Sequence, residues 1–590
     1  MSSRDWIVLI ITLFVIIAYG LYKSRTTRNL EGYFLSNRSM PWYLVLLSIM
    51  GTQASAVTFL SGPGQAYTDG MRFVQYYFGL PIAMVVICIF FVPLFSKLKL
   101  ITAYEFLENK FDLKTRTLTS FLFLLQRGLS TGISVAAPSI ILSALLGWDI
   151  FWTNIFMGGL LIIYTVTGGA KAVAYTQQLQ LIIIIISMFL AGYMVVRLLP
   201  SNVGFLDALK MSGEAGKLNV ITSGQTAKGF DWTDRYNLVS GLIGGFFLAL
   251  SYFGTDQSQV GRYLTARSLT ESRLGLLMNG LVKVPMQFFI LLVGALVFVF
   301  YQFHPSPVFF DQSQVEKVNR SAYATEGNSI QRSFDSVNGV KKELIANWDP
   351  AKDHKEWNYL QKQSDSLRTE YRKVLTKSGS GADVKDTNYI FLRFVIDYLP
   401  RGLVGLIIAM IFLASWGSIA AALNSLASTT MVDLHQRYSK KELSSERQYK
   451  WSQGYTLAWG ILCIVGAQFA TAIGNSLIEA VNILGSFFYG VILGVFLVAF
   501  YPKKIKGTAV FWSAVIVELY ILLSATWPWM HKQFPEAMNV IPSGMENFMS
   551  SFSKIGFLWL IPIGAIGVIL LSLIFNLFTS KEKPSVNVSV

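Results

Sequence analysis

The chain is 590 residues long, 53% apolar and only 14% charged, which excludes disordered and charge-rich soluble classes and places it among polytopic membrane proteins. Its formal net charge of +15 would suit nucleic acid, but the Lys and Arg residues gather in short loops between apolar spans, where they report topology instead. Cys88 and Cys463 fall inside spans and the four histidines (His304, His354, His435, His531) are scattered, so no disulfide framework, metal cluster or cofactor site is predicted.

At about 20 apolar residues per crossing, the sequence predicts thirteen spans: 6–23, 42–68, 76–96, 118–147, 150–167, 177–198, 238–260, 274–301, 400–431, 451–472, 476–500, 508–527 and 555–578. The first is a retained helix and not a signal peptide. Arg4 and Asp5 make no basic leader, and Tyr19-Gly20-Leu21-Tyr22 is a poor cleavage site.

The second span carries the most informative stretch. It interrupts itself with Gly51-Thr52-Gln53-Ala54-Ser55 and again with Gly62-Pro63-Gly64. In hydrocarbon each unpaired backbone group costs several kcal/mol, so broken helix is tolerated only where it lines a cavity or holds an ion. Unwound carbonyls and short hydroxyls at mid-membrane are what a partly dehydrated sodium ion requires, and the stretch therefore predicts a coupled transporter.

Basic clusters set the orientation: Lys23, Arg25, Arg28 and Arg38; Lys97, Lys99, Lys110, Lys114 and Arg116; Arg262, Arg267 and Arg273; and the segment 435–450. All fall on the cytoplasmic side if the N-terminus is outside, the tail 580–590 cytoplasmic, and the hydrophilic segment 302–387 external. Within that segment, 333–347 and 355–376 have helical apolar spacing (Tyr359, Leu360, Leu367, Tyr371, Val374, Leu375), with Ser-Gly-Ser-Gly following at 378–381. It reads as a helical hairpin insertion with only a small satellite core; the alternative is a docking surface for an external binding partner.

Three later stretches are distinctive: Tyr164 to Val173 (YTVTGGAKAV) with Thr176 and Gln180, Gly254 to Leu264 (GTDQSQVGRYL), and Ala414 to Ser418 (ASWGS) leading to Asn424 and Asp433. In this order and at these spacings the chain resembles the sodium:solute symporter family over roughly 1–300 and 388–530. The resemblance implies an all-α integral membrane protein of the leucine-transporter fold, with two inverted five-helix repeats and one extra N-terminal helix. On this chain the extra helix and its loop occupy 1–40, the first repeat 41–200, the second repeat 238–301 with 388–502, the insertion 302–387, and the C-terminal helices and tail 503–590. The first helix of each repeat is the glycine-interrupted one, at 51–64 and at Gly241, Gly244, Gly245 and Gly254, and such paired interruptions point to a binding site. Gly244 and Gly245 are also explained by close helix packing.

The resemblance maps a sodium site onto Gly51, Ala54, Ala414, Gly417 and Ser418, with only Ser418 keeping a side-chain hydroxyl. Many family members carry an aspartate where this chain has Gln177, and the hydroxyls completing a second sodium site fall at Gly417, Ala420 and Ala421, which have none. One coupling sodium and no second is therefore expected. Family alignment places Gln53, Ser55, Thr58, Tyr76, Tyr77, Ser130, Tyr252 and Asn482 around the substrate; Tyr77 stands where sugar carriers have a glutamate. Arg127 stands out as a charge inside a span, where it costs about 2.5–3.5 kcal/mol on insertion scales. It reads either as a clamp for a substrate carboxylate or as a structural partner of Asp256.

The function expected is a sodium-coupled symporter in the cell (plasma or inner) membrane, importing a small polar solute or organic anion, with the small-molecule substrate, sodium and the lipid bilayer as its partners. The alternatives are a transporter-like solute sensor, for which the tail is too short to hold a signalling domain, and a proton-coupled or uniport carrier of the same fold. No constellation for catalysis at membrane depth, and no repeated carbonyl filter of a channel, is legible.

Overall fold

The computed structural model describes residues 1–23, 29–346, 350–378, 385–439, 443–469, 477–500, 505–534 and 541–578. The loop with Arg25 and Arg28, most of the Ser-Gly linker after 378, and the tail 580–590 lie outside them.

In chain order the helices are α1 (Ser3–Lys23), α2 (Leu30–Leu35), α3 (Trp42–Gln53), α4 (Ala56–Asp69), a 3-10 turn at Gly70–Tyr77, α5 (Leu80–Val86), α6 (Val92–Lys97), α7 (Glu105–Lys110), α8 (Leu113–Leu146), α9 (Ile150–Arg197) and α10 (Phe205–Glu214). A two-stranded ribbon, β1 (Gln225–Thr226) and β2 (Gly229–Phe230), precedes α11 (Gly245–Gly254), α12 (Gln257–Tyr263) and α13 (Leu269–Phe303). The insertion contributes α14 (Gln312–Asn319), α15 (Ala324–Ala346) and α16 (Pro350–Lys377). Then come α17 (Thr387–Tyr398), α18 (Leu403–Thr429), α19 (Gln436–Tyr438), α20 (Ser445–Ala467), α21 (Leu477–Phe500), α22 (Gly507–Gln533), α23 (Ser543–Phe552) and α24 (Phe557–Phe578).

Among the described residues, nine helices are long and apolar enough to cross a membrane. The four other expected spans (42–68, 150–167, 238–260 and 451–472) fall on helices that are shorter, broken or more polar. The spans expected at 150–167 and 177–198 lie within α9, a run of 48 residues. At 1.5 Å per residue it is about 72 Å long, over twice the hydrocarbon core, which is length enough for both expected spans in its two arms. The arms meet different neighbours: Asn154 bonds Gln468 and Gln453 bonds the Val166 carbonyl, whereas Gln177 reaches α3 and α18. α18 is the centre of the bundle, buried along nearly its whole length, and α1, α3, α8, α9 and α20 pack around it.

The interruption in the second span is narrower than the sequence suggests. Only Ala54 (ψ 79°) and Ser55 (ψ 168°) leave helical geometry. Gly62-Pro63-Gly64 lies inside α4, a correction with a packing cause. A β-carbon on Gly64 would stand 1.9 Å from the Thr387 carbonyl, and one on Gly294 would stand 2.1 Å from that of Pro63. These glycines let α17 and α13 approach α4 backbone to backbone. Gly241 and Gly245 do the same against the carbonyls of Gln75 and Tyr76, and the second break is confined to Thr255-Asp256, between α11 and α12.

The insertion is a hairpin of α15 on α16, both starting earlier than the apolar spacing indicated because polar first turns extend them. A satellite cluster is present (Val308, Phe309, Val318, Phe334, Tyr371, Val374, Leu375), but Ile345 and Trp357 join the main core. The hairpin is seated on the bundle, and a small detached core describes only half of it.

Gly64→Ala should lower stability by about 3 kcal/mol, the upper end of overpacking, read as a lower thermal midpoint of the purified protein. Gly159→Ala, with open space around it, should change nothing; equal effects of the two would refute the packing argument.

Candidate functional site: a cavity between two helix breaks

The first break and the end of α11, just before the second break, line one cavity of about 100 Å³. From the first break and α4 come Gln53, Ser55 and Thr58; from the turn after α4, Tyr76 and Tyr77; from α8, Arg127; from α11, Tyr252; from α21, Asn482. Eight of the nine side chains singled out for a substrate thus share a wall. Ser130 does not line the cavity: it is buried within α8, its hydroxyl accepting from Gln126 Nε2 at 3.1 Å. The Tyr76 hydroxyl donates to Asn482 Oδ1 at 3.0 Å and bridges opposite sides of the bundle. The Gln53 Oε1 atom is buried with no donor among the described residues.

Arg127 is paired. Its guanidinium contacts the fully buried Asp256 carboxylate and lies 5.3 Å above the Tyr252 ring. Asp256 also accepts from the Tyr489 hydroxyl at 3.1 Å, and from the Ser258 amide at 2.8 Å, capping α12. The pair therefore sits on the second break: Asp256 satisfies the new helix start, and Arg127 balances its charge. Arg127 Nε keeps no acceptor among the described residues.

The residues expected to hold sodium lie on two neighbouring elements. Gly51 is in the last turn of α3 and Ala54 caps it, while Ala414, Gly417 and Ser418 lie on α18. Ser418 Oγ donates to the Ser415 carbonyl at 3.1 Å, which leaves its lone pairs free to accept a cation. Between the two elements stands Gln177. Its Nε2 donates to the Gly417 carbonyl at 3.0 Å and to Thr52 Oγ1 at 3.2 Å, and its Oε1 accepts from Ser48 at 2.8 Å. A β-carbon on Gly417 would lie 2.5 Å from Gln180 Oε1, so the missing hydroxyl is matched by a neighbour that fills its place. Ala420 and Ala421 pack with Val173 in an apolar cluster.

Sequence reasoning missed two groups. Tyr489, an ordinary-looking span tyrosine, is a partner of Asp256. Lys283 on α13 is fully buried, its Nζ has no acceptor among the described residues, and it lies 5.6 Å from the Tyr77 ring. The signal for Lys283 was available, because a lysine in the apolar run Leu281-Val282-Lys283-Val284 is as costly as Arg127.

A family model described as the sodium:solute symporter family matches residues 33–321 and 372–516. The chain belongs to the sodium:solute symporter family. Among its relatives, the sodium/sialic acid symporter NanT of Aliivibrio fischeri is 25% identical over 511 residues, spanning 86% of this chain and 85% of the relative. The sodium-dependent multivitamin transporter of Oryctolagus cuniculus is 27% identical over 516 residues, 85% of this chain and 67% of the relative. A solved structure of a Na+-coupled sialic acid symporter, in a substrate-bound outward-open state, superposes with a TM-score of 0.72 at 21% identity, covering 98% of each chain. The fold is that of the leucine transporter, and the protein is a multi-pass membrane protein. The family match skips 322–371, the two long helices of the insertion.

Arg127→Ala should cost about 3–5 kcal/mol, the usual result of leaving a buried charge unpaired. The Arg127→Ala/Asp256→Ala double variant should recover part of that loss, read in a thermal double-mutant cycle. A purely additive cycle would show that the pair does not stabilise the break.

Proposed function

We propose that this member of the sodium:solute symporter family imports a small organic solute by alternating access, with one sodium ion per cycle held by Gly51, Ala54, Ala414, Gly417 and Ser418. The observation that supports the single ion is Gln177: a neutral carboxamide bridges α3 and α18, and Ala420 and Ala421 supply no oxygen beside it. Sodium is a hard cation that seeks several oxygen ligands, and carbonyls at an unwound helix with one hydroxyl are of that kind. The basic loops support an N-terminus outside and the insertion on the outer face of the cell membrane.

For the solute, the cavity offers amide, hydroxyl and aromatic groups: Gln53, Ser55, Thr58, Tyr76, Tyr252 and Asn482. With Arg127 neutralised by Asp256, these groups favour a small polar solute that is neutral overall. A second reading, a carboxylate, is supported by the unpartnered Arg127 Nε and Lys283 Nζ beside the cavity wall, and by relatives named for sialic acid. The two readings differ in energetics. One charge crossing 100 mV is worth about 2.3 kcal/mol and a tenfold gradient about 1.4, so one sodium concentrates a neutral solute roughly 500-fold; a monoanion cancels the potential term and keeps only the chemical gradient.

Uptake should depend on sodium with a Hill coefficient near one, and Ser418→Ala should raise the sodium concentration required. Uptake unchanged when choline replaces sodium at fixed pH would overturn the ion assignment in favour of protons or uniport. A thermal-shift screen in sodium against hexoses, monocarboxylates and sialate should decide the solute, since a ligand at 100 times its Kd stabilises by about 2.7 kcal/mol. A neutral hit whose shift survives Lys283→Met supports the first reading. A carboxylate hit that Lys283→Met abolishes supports the second.

A further inference from the structure

A second cavity, of about 250 Å³, lies between the insertion and the end of α4 and shares no lining residue with the central one. Its floor is Tyr67 and Thr68, in the last turn of α4; its walls come mainly from α15 and α16, whose lining residues apart from Arg372 lie within the segment that the family match skips.

Its charge is one-sided. Lys217, Lys341, Arg368 and Arg372 line it against a single acid, Asp365. The two arginines share one further carboxylate, Asp386, at 3.8 and 3.3 Å, and Asp69 acts on Lys217 from outside the lining, so cations still outnumber acids. Lys217 is spent on a backbone carbonyl, that of Thr68, at 2.8 Å. Lys341, 3% exposed, donates to the neutral Gln361 at 2.6 Å, and no ion pair to it is present among the described residues. Burial pushes its ammonium down to about 8, the signature of a cation without sufficient counter-charge.

Donors are also in surplus. Asn338 Nδ2, Arg372 Nε and the Tyr301 hydroxyl are buried in this lining with no partner among the described residues, against one idle acceptor, Gln302 Oε1. Asn338 uses its Oδ1 to accept from Ser364, which turns the amide nitrogen to the other side. Buried donors without acceptors cost about 1–3 kcal/mol each, and a wall of excess cations with idle N–H groups is complementary to an oxyanion. A cation would meet repulsion there, and a neutral sugar would leave the charge uncompensated.

We propose that this cavity is a binding site for a small carboxylate anion, distinct from the transport cavity, with Lys341, Arg372 and Asn338 as its donors. The bound carboxylate sits between α15 and α16 over Tyr67 and Thr68 at the end of α4, whose other end is the first helix break.

The test is calorimetric titration of lactate into the full-length purified protein, in choline buffer without sodium, with neutral methyl lactate as the control. Sodium is absent, and Asn338 and Lys341 lie outside the transport cavity, so lactate bound here is told from lactate bound as a transported solute by its loss in their variants, and a failure here leaves the symport reading untouched. Saturable binding of lactate and none of methyl lactate is expected. Asn338→Asp, which sets a carboxylate against the idle donors, should weaken binding about tenfold or more, the equivalent of one lost charge-assisted hydrogen bond, while keeping or raising the thermal midpoint. Lys341→Met should weaken binding to a similar extent. Absence of saturable lactate binding to the wild-type protein, equal binding of methyl lactate, or binding unaffected by Asn338→Asp would overturn the proposal.

Discussion

A helix broken inside an apolar bundle must find partners for the backbone groups it frees, and the candidate site is organised by that requirement. At the second break the partner is a side chain: Asp256 caps α12, and the charge this introduces is balanced by Arg127 and hydrogen-bonded by Tyr489. At the first break no charged side chain does the same work. Ala54 and Ser55 simply depart from helical geometry, next to the Thr52 hydroxyl that Gln177 ties to α18. One break is thus stabilised by a capping carboxylate and its counter-charge, and no such pair stands at the other among the described residues.

Gln177 shows how a charge can be removed from such a site without leaving a hole. A carboxylate at this position would seek a cation. The carboxamide instead acts as donor and acceptor at once, tying Gly417 and Thr52 to Ser48. The same neighbourhood excludes a side chain at 417, where Gln180 fills the space. The thinned ligand set and the neutral residue are therefore one arrangement.

The insertion adds a second electrostatic centre. Its arginines and lysines stack on aromatic rings, Arg368 between Phe310 and Phe334 and Lys341 near Trp357, and this holds the cations in place while leaving their charge only partly matched. The hairpin is tied to α4 through Tyr67, whose hydroxyl accepts from Arg368 at 3.5 Å, so the insertion touches the helix whose far end forms the first break.

Much was legible in the sequence because hydrocarbon is an unforgiving solvent. Apolar length located most spans, glycine and hydroxyl residues inside them located both breaks, and the order of three motifs identified the family. Of the nine side chains expected around a substrate, eight line the cavity: seven from the family resemblance, and Arg127 from its charge inside a span. What the sequence could not decide were relations between segments distant along the chain. Whether Gly62-Pro63-Gly64 unwinds or packs depends on Thr387 and Gly294 lying against it. Whether Arg127 is free or paired depends on Asp256, 129 residues away, and Ser130 turns from the cavity because Gln126 is nearer. Lys283 is placed beside Tyr77 only by the packing of α13 on the turn after α4. Composition and local pattern report how each segment meets its solvent; the partners of buried charges are set by which helices touch, and only the tertiary structure decides that.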